Sequence, residues 1–265
     1  MSASDDSWMI DHYDHASPNI IYTEVNIPGP GADLEDFNSQ FTEGCGCQEK
    51  CSVENDCCCV KKYQVNYDEN CKLLVSKYNG PVIECNSTCS CAEYGRCGNR
   101  VVQFGPRRNL TVFNAGHSKG FGLKSETEIA KGEFICEYAG EVIGMEEARR
   151  RSQADSGGMN YIFVLNEYLS EGRVVKTCID PSVIGNVGRY INHSCQPNSV
   201  IVPVRANNPV PKLCIFALRV IRDNEEITFD YGGGYNKGFV SGKRKPCFCG
   251  SSVCKQFLPC DETLF

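Results

Sequence analysis

No apolar run in this sequence approaches the roughly 20 residues a membrane-spanning helix needs. Met1–Asp14 has neither a basic cluster nor an apolar core, so no secretory signal is expected. A basic excess is missing too. The net charge is −6, which argues against a phosphate-binding surface as the main feature. That balance suits a Lys/Arg-rich partner, and equally a plain solvated acidic surface. No βαβ unit of about 30 residues follows the Gly120-Phe121-Gly122 run, which excludes a Rossmann dinucleotide site.

Cysteine, by contrast, is abundant: 19 in 265 residues, eleven of them between Cys45 and Cys97. The count is odd, and close C-x-C pairs make strained disulfides but good metal ligands. Zinc is therefore preferred over a disulfide framework. The first block holds Cys45, Cys47, Cys51, Cys57, Cys59, Cys85, Cys89, Cys91 and Cys97, with Cys58 and Cys71 as surplus. Three Zn²⁺ need twelve coordination positions, and nine thiolates fill them if three bridge two metals each. The arithmetic permits this without requiring it. The tail carries Cys247, Cys249 and Cys254, one ligand short of a tetrahedron, with Cys260 left over. Cys136, Cys178 and Cys214 sit in apolar runs and read as packing residues. His12 and His15, beside Asp11 and Asp14, read as part of an acidic tail rather than a metal site.

The fold class expected is mainly β, a β-rich α+β chain. Strands are predicted at Ile20–Val25, Leu110–Phe113, Phe134–Tyr138, Tyr161–Leu165 and Leu213–Ala217, separated by Gly, Asn and Pro signals. A helix is predicted near Met145–Gln153, its charges a solvated face, and Val204–Lys212 reads as a surface loop. The divisions expected are an N-terminal segment 1–43, a metal-stapled block 44–106, a β-rich domain 107–235 and a metal-bearing tail 236–265.

Two stretches organise this chain: Arg189-Tyr190-Ile191-Asn192-His193-Ser194-Cys195-Gln196-Pro197-Asn198, and Glu226-Ile227-Thr228-Phe229-Asp230-Tyr231-Gly232. Together they resemble the paired signatures of SET-domain protein-lysine methyltransferases. The cysteine block resembles the pre-SET motif and the tail the post-SET motif. Glu84-Cys85-Asn86-Ser87-Thr88-Cys89 is similar to the Su(var)-type, histone H3 branch.

The resemblance implies a SET fold of small curved sheets with a knot-like C-terminal substructure. It implies three zincs in the pre-SET cluster and a fourth shared by Cys195, Cys247, Cys249 and Cys254. It assigns S-adenosylmethionine to Lys119, Gly120, Phe121, Gly122, Tyr161, Asn192 and His193, with Arg189 pairing the cofactor carboxylate. Phe121 stands where many relatives have Trp. Tyr231, Tyr161 and Phe229 are implied as the catalytic and channel residues.

Methyl transfer to lysine needs a neutral amine, and at pH 7 deprotonating a side chain of pKa about 10.4 costs roughly 4–5 kcal/mol. An aromatic channel disfavours the ammonium and aligns the reactants. Phe229 occupies the family's Phe/Tyr switch position, where a missing hydroxyl leaves room for an amine already methylated. The partner implied is the histone H3 tail on chromatin, in the nucleus and on the chromosome. Lysine nine is the first choice and lysine thirty-six the alternative. Neither sequence-specific DNA binding nor a membrane is expected. The competing reading is a zinc-stapled SET scaffold without turnover.

Overall fold

The computed structural model describes residues 20–48, 50–74, 80–93, 97–154, 160–169, 172–232, 245–259 and 264. His12, His15 and Cys260 lie outside the described residues, as does the whole run between Gly232 and Lys245. The architecture is mainly β, as expected from the short alternating runs. Among the described residues no helix is long and apolar enough to cross a membrane.

The strands are β1 (Ile21–Tyr22), β2 (Ile27–Pro28), β3 (Val82–Ile83), β4 (Leu110–Gly116), β5 (Gly120–Ser125), β6 (Phe134–Glu137) and β7 (Gly140–Ile143). They continue as β8 (Phe163–Tyr168), β9 (Val174–Gly185), β10 (Asn192–His193), β11 (Ser199–Arg205), β12 (Lys212–Ala217) and β13 (Glu226–Phe229). Among the described residues the α-helices are α1 (Leu34–Asn38), α2 (Cys58–Tyr63) and α3 (Met145–Ala154). The strands form three small sheets, in the orders β1-β9-β7-β2 with β8 on β9, β10-β13-β5-β4, and β3-β11-β12-β6.

Residues 20–43 are not an appendage. β1 pairs in parallel with β9 and β2 with β7, so this segment extends a sheet of the β-rich domain. The expected strand Ile20–Val25 shortens to two residues. Val204 is fully buried and pairs with Lys212, so the expected loop 204–212 is instead a tighter connection between β11 and β12. Asp33 caps α1 by accepting from the Glu35 and Asp36 N–H groups at 2.9 and 3.3 Å.

The charges of α3 do not all face solvent. Arg151 reaches inward to Glu141 and to the 2% exposed Asp180, at 2.7 and 2.8 Å, and so ties the helix to the sheet. The metal block is joined to the β domain by a second core. There Tyr67, Leu73, Val82 and Val102 meet Phe134, Val202, Val204, Cys214 and Phe216. At that seam lies Glu84, 1% exposed, accepting from Tyr67 Oη, the Val101 and Val102 N–H groups, and Gln103 Nε2 at 2.7–2.9 Å. Burial pushes its carboxyl above the usual range, while those donors oppose the shift.

Candidate active site and cysteine centres

The parallel pairing of β10 with β13 brings the two organising stretches together. Asn192 lies opposite Thr228 and His193 opposite Phe229. On β13, Ile227 and Phe229 face inward with the period-two alternation of a strand. Tyr231 follows just past its end. Its ring centroid is 4.9 Å from that of Phe229, and its hydroxyl donates to the Ile191 carbonyl at 3.0 Å. Phe229, 2% exposed, stands edge-on to Tyr138 and Phe163, each at 6.1 Å. Tyr138, Phe163 and Phe229 make an aromatic wall against which the Tyr231 ring packs. Burial, with Tyr161 nearby, pushes the Tyr231 phenol well above its ordinary pKa, so it stays neutral near pH 7.

Tyr161 flanks this wall. Its carbonyl accepts from Tyr138 Oη at 2.5 Å, and its ring lies 4.4 Å under the Arg189 guanidinium. Arg189 is 8% exposed, donating from Nε to Pro181 O at 2.9 Å and from Nη2 to Ser182 O at 3.4 Å. Stacking on Tyr161 and these backbone carbonyls hold the Arg189 guanidinium in place.

The glycine loop is the β4–β5 hairpin. Gly120 has φ +71°, a left-handed conformation that glycine adopts without strain. A Cβ on Gly122 would sit 2.9 Å from the Phe113 ring and 3.1 Å from Glu226 Oε1. Glu226 also pairs with Lys119 and accepts from Asn192 Nδ2 at 2.9 Å. The same amide nitrogen donates to the Phe121 carbonyl at 3.0 Å. Asn192 and Glu226 together therefore lock the hairpin to β10 and β13. Phe121 is 43% exposed, with its edge toward Tyr190.

His193 is likewise engaged by the protein. Its Nδ1 accepts the Tyr231 N–H at 3.2 Å, so the ring proton belongs on Nε2, which lies 3.4 Å from Cys195 Sγ. Burial holds its pKa below the ordinary value. Asn192 and His193 are therefore tied into the protein itself as well as facing the cleft. Their named donors and acceptors fasten the glycine loop, Tyr231 and Cys195 to one another. Lys119, Asn192, His193 and Tyr231 line one open cleft, roofed by Pro246, Phe248, Cys249 and Leu258 of the tail.

The nine cysteines of the first block converge. Their sulfurs form four overlapping quartets, Cys45-Cys57-Cys59-Cys85, Cys45-Cys47-Cys51-Cys57, Cys45-Cys85-Cys89-Cys91 and Cys51-Cys85-Cys91-Cys97, with sulfurs within 4.8 Å of one another in each. Cys58 and Cys71 are exposed and belong to none. Cys195, Cys247, Cys249 and Cys254 make a separate quartet. A tetrahedral shell with Zn–S bonds of about 2.3 Å sets its sulfurs about 3.8 Å apart. Here Cys45 lies 3.6 Å from Cys51 and 3.8 Å from Cys91, and Cys195 lies 3.9 Å from Cys247. The spacing fits zinc. Cys45, Cys51, Cys57, Cys85 and Cys91 each lie in more than one quartet, so sulfurs are placed where thiolates could bridge neighbouring metals. Burial and neighbouring sulfurs push the Cys91 thiol up to about 12, a penalty a divalent cation would relieve.

A Pre-SET motif matches residues 7–100 and a SET domain matches residues 120–232. The cattle (Bos taurus) histone-lysine N-methyltransferase SETMAR is 42% identical over 258 residues, covering 92% of this chain and 83% of that protein. The chain belongs to the SET-domain histone-lysine N-methyltransferases. Among solved structures, the methyltransferase domain of human SETMAR superposes with a TM-score of 0.80 at 40% identity, covering 94% of this chain and 92% of that one. KRYPTONITE, in complex with DNA, an H3(1-15) peptide and SAH, gives a TM-score of 0.72 at 30% identity over 92% of this chain and 48% of that one.

Two residues of this SET-domain site escaped the sequence reading. Tyr138 closes the aromatic wall, yet its only signal was an aromatic ending the Phe-Ile-Cys-Glu-Tyr run. Glu226 lies inside a quoted motif, but its link to Lys119 and Asn192 spans more than thirty residues of chain and leaves no local pattern.

Proposed function

We propose that this chain transfers methyl groups from S-adenosylmethionine to a lysine of the histone H3 tail, with lysine nine the first target and di- and trimethyllysine the products. The observation that carries it is the Tyr231 hydroxyl, fixed by Ile191 above the Tyr138–Phe163–Phe229 wall and beside the glycine-loop cleft. The H3(1-15) peptide held by KRYPTONITE supports the substrate class, since such a peptide contains lysine nine and not lysine thirty-six. A histone substrate places the enzyme on chromatin in the nucleus.

Lys119, Gly120, Phe121, Gly122, Asn192 and His193 frame the cofactor cleft, with Tyr161 and Arg189 on the channel side. When bound, S-adenosylmethionine supplies a methyl on a sulfonium sulfur. The aromatic wall excludes water and favours the neutral amine over the ammonium. The channel aligns nucleophile and methyl. Tyr231 Oη, its proton donated to Ile191, turns its lone pairs outward to the positive charge shared by amine and methyl. The amine, its proton already lost to solvent, would take the methyl from the bound cofactor, a C–N bond replacing the C–S bond in each transfer. Zinc would be held by the nine sulfurs and the post-SET quartet, as a closed structural element in each case.

Metal analysis of the pure protein should find four zincs per chain, and one or none would contradict the cysteine assignment. An H3(1-15) peptide should be methylated, and the same peptide with lysine nine replaced by arginine should not. Methylation that persists on the replaced peptide would remove the lysine assignment. Phe229→Tyr should shift product toward monomethyllysine, because the new hydroxyl can anchor a water where further methyl groups would go. The ring is packed on three sides, but one oxygen toward the channel should leave the fold intact. Unchanged product ratios in mass spectra would mean that other groups set the channel volume.

A further inference from the structure

The post-SET segment has little core of its own. Among its described residues 245–259 only Cys247 is buried. Its one described strand contact is the Pro246–Phe257 bridge. Leu264, however, is 1% exposed and sits with Ile143 of β7, Ala148 of α3 and Cys178 of β9, against Met145, Ile162 and Val164. Pro259, five residues earlier (264 − 259), lies on Gly232, where a Cβ would come within 3.2 Å of its own. Five residues of chain reach about 17 Å at most. The tail is therefore pinned at three places: the Cys195 quartet, the surface beside Tyr231, and the Leu264 pocket.

We propose that Leu264 is a positioning residue, a latch that fastens the post-SET tail to the α3–β8–β9 wall and holds the lysine channel closed around its substrate. The pocket it fills is lined by Ile162, the chain neighbour of Tyr161, and by Val164 of β8. Filling that pocket supports the Tyr161 side of the channel from behind, while the zinc quartet holds the tail on the cofactor side. Neither anchor replaces the other, because the described residues 245–259 bury almost nothing beyond Cys247. The kinetic part of this inference rests on the methyl transfer proposed above.

Leu264→Ala tests the latch, with Leu264→Met as the conservative control. In Leu264→Ala the KM for the H3 peptide should rise about tenfold through loss of positioning, with kcat within about twofold and zinc content unchanged. Without cofactor or peptide, trypsin should cut after Lys255 and Lys245 several-fold faster than in the native chain. Leu264→Met should restore both. A lower melting temperature with unchanged KM and unchanged cleavage would overturn the proposal and leave Leu264 as filling alone. A native protein without methyl transfer would defeat the proposed function, and the cleavage rates would still decide the latch.

Discussion

Tyr231→Phe is expected to lower kcat by about 10²–10³, the usual cost of losing one preorganised polar group at a reacting centre. The dissociation constant for S-adenosylmethionine should stay within a few-fold. The reason lies in what the hydroxyl touches. It donates to the Ile191 carbonyl at 3.0 Å, above the Phe229 ring, while the glycine loop is held by Asn192 and Glu226. Removing the oxygen leaves the loop locked and the backbone N–H of residue 231 still bound to His193. Only the oxygen facing the amine and methyl disappears. The cost to stability is one neutral hydrogen bond, about 1 kcal/mol. Isothermal titration paired with single-turnover rates separates the two effects, and a loss of cofactor binding as large as the loss of rate would contradict the role.

Cys254→Ser should abolish turnover while removing a single zinc. The post-SET quartet is separate from the nine-sulfur block, so the pre-SET metals have no reason to leave. Three remaining thiolates cannot close a tetrahedral structural site. Pro246, Phe248, Cys249 and Leu258 then lose the anchor that holds them over the cleft shared with Lys119, Asn192 and Tyr231. His193 also loses the fixed sulfur opposite its Nε2, and with it part of the support for Tyr231. The zinc content should fall from four per chain to three, with the thermal transition little changed. Retained activity, or loss of all the zincs together, would show that the tail metal does not do what is claimed.

Much of this could be read from residues alone, because the informative groups are close in sequence or chemically unusual. Closely spaced cysteines disclose a metal centre, since few other arrangements use thiols at that density. The Phe229–Tyr231 spacing does place two rings against each other, although Tyr231 lies beyond the strand end. What could not be read depends on long-range pairing. β1 and β2 are two residues each, too short to carry a period, and their parallel partners lie more than a hundred residues away. The Arg189 contacts to the backbone carbonyls of Pro181 and Ser182 left no sequence pattern, because any residue could supply them. Arg151 looked solvated because Asp180 reaches it only through β9.

The most direct test of the whole account is time-resolved mass spectrometry of an H3(1-15) peptide incubated with the purified protein and excess S-adenosylmethionine. One lysine should gain methyl groups stepwise, passing through mono- and dimethyl to trimethyl product. Cofactor bound at full occupancy with no methyl appearing on the peptide would contradict the account and favour a SET scaffold without turnover.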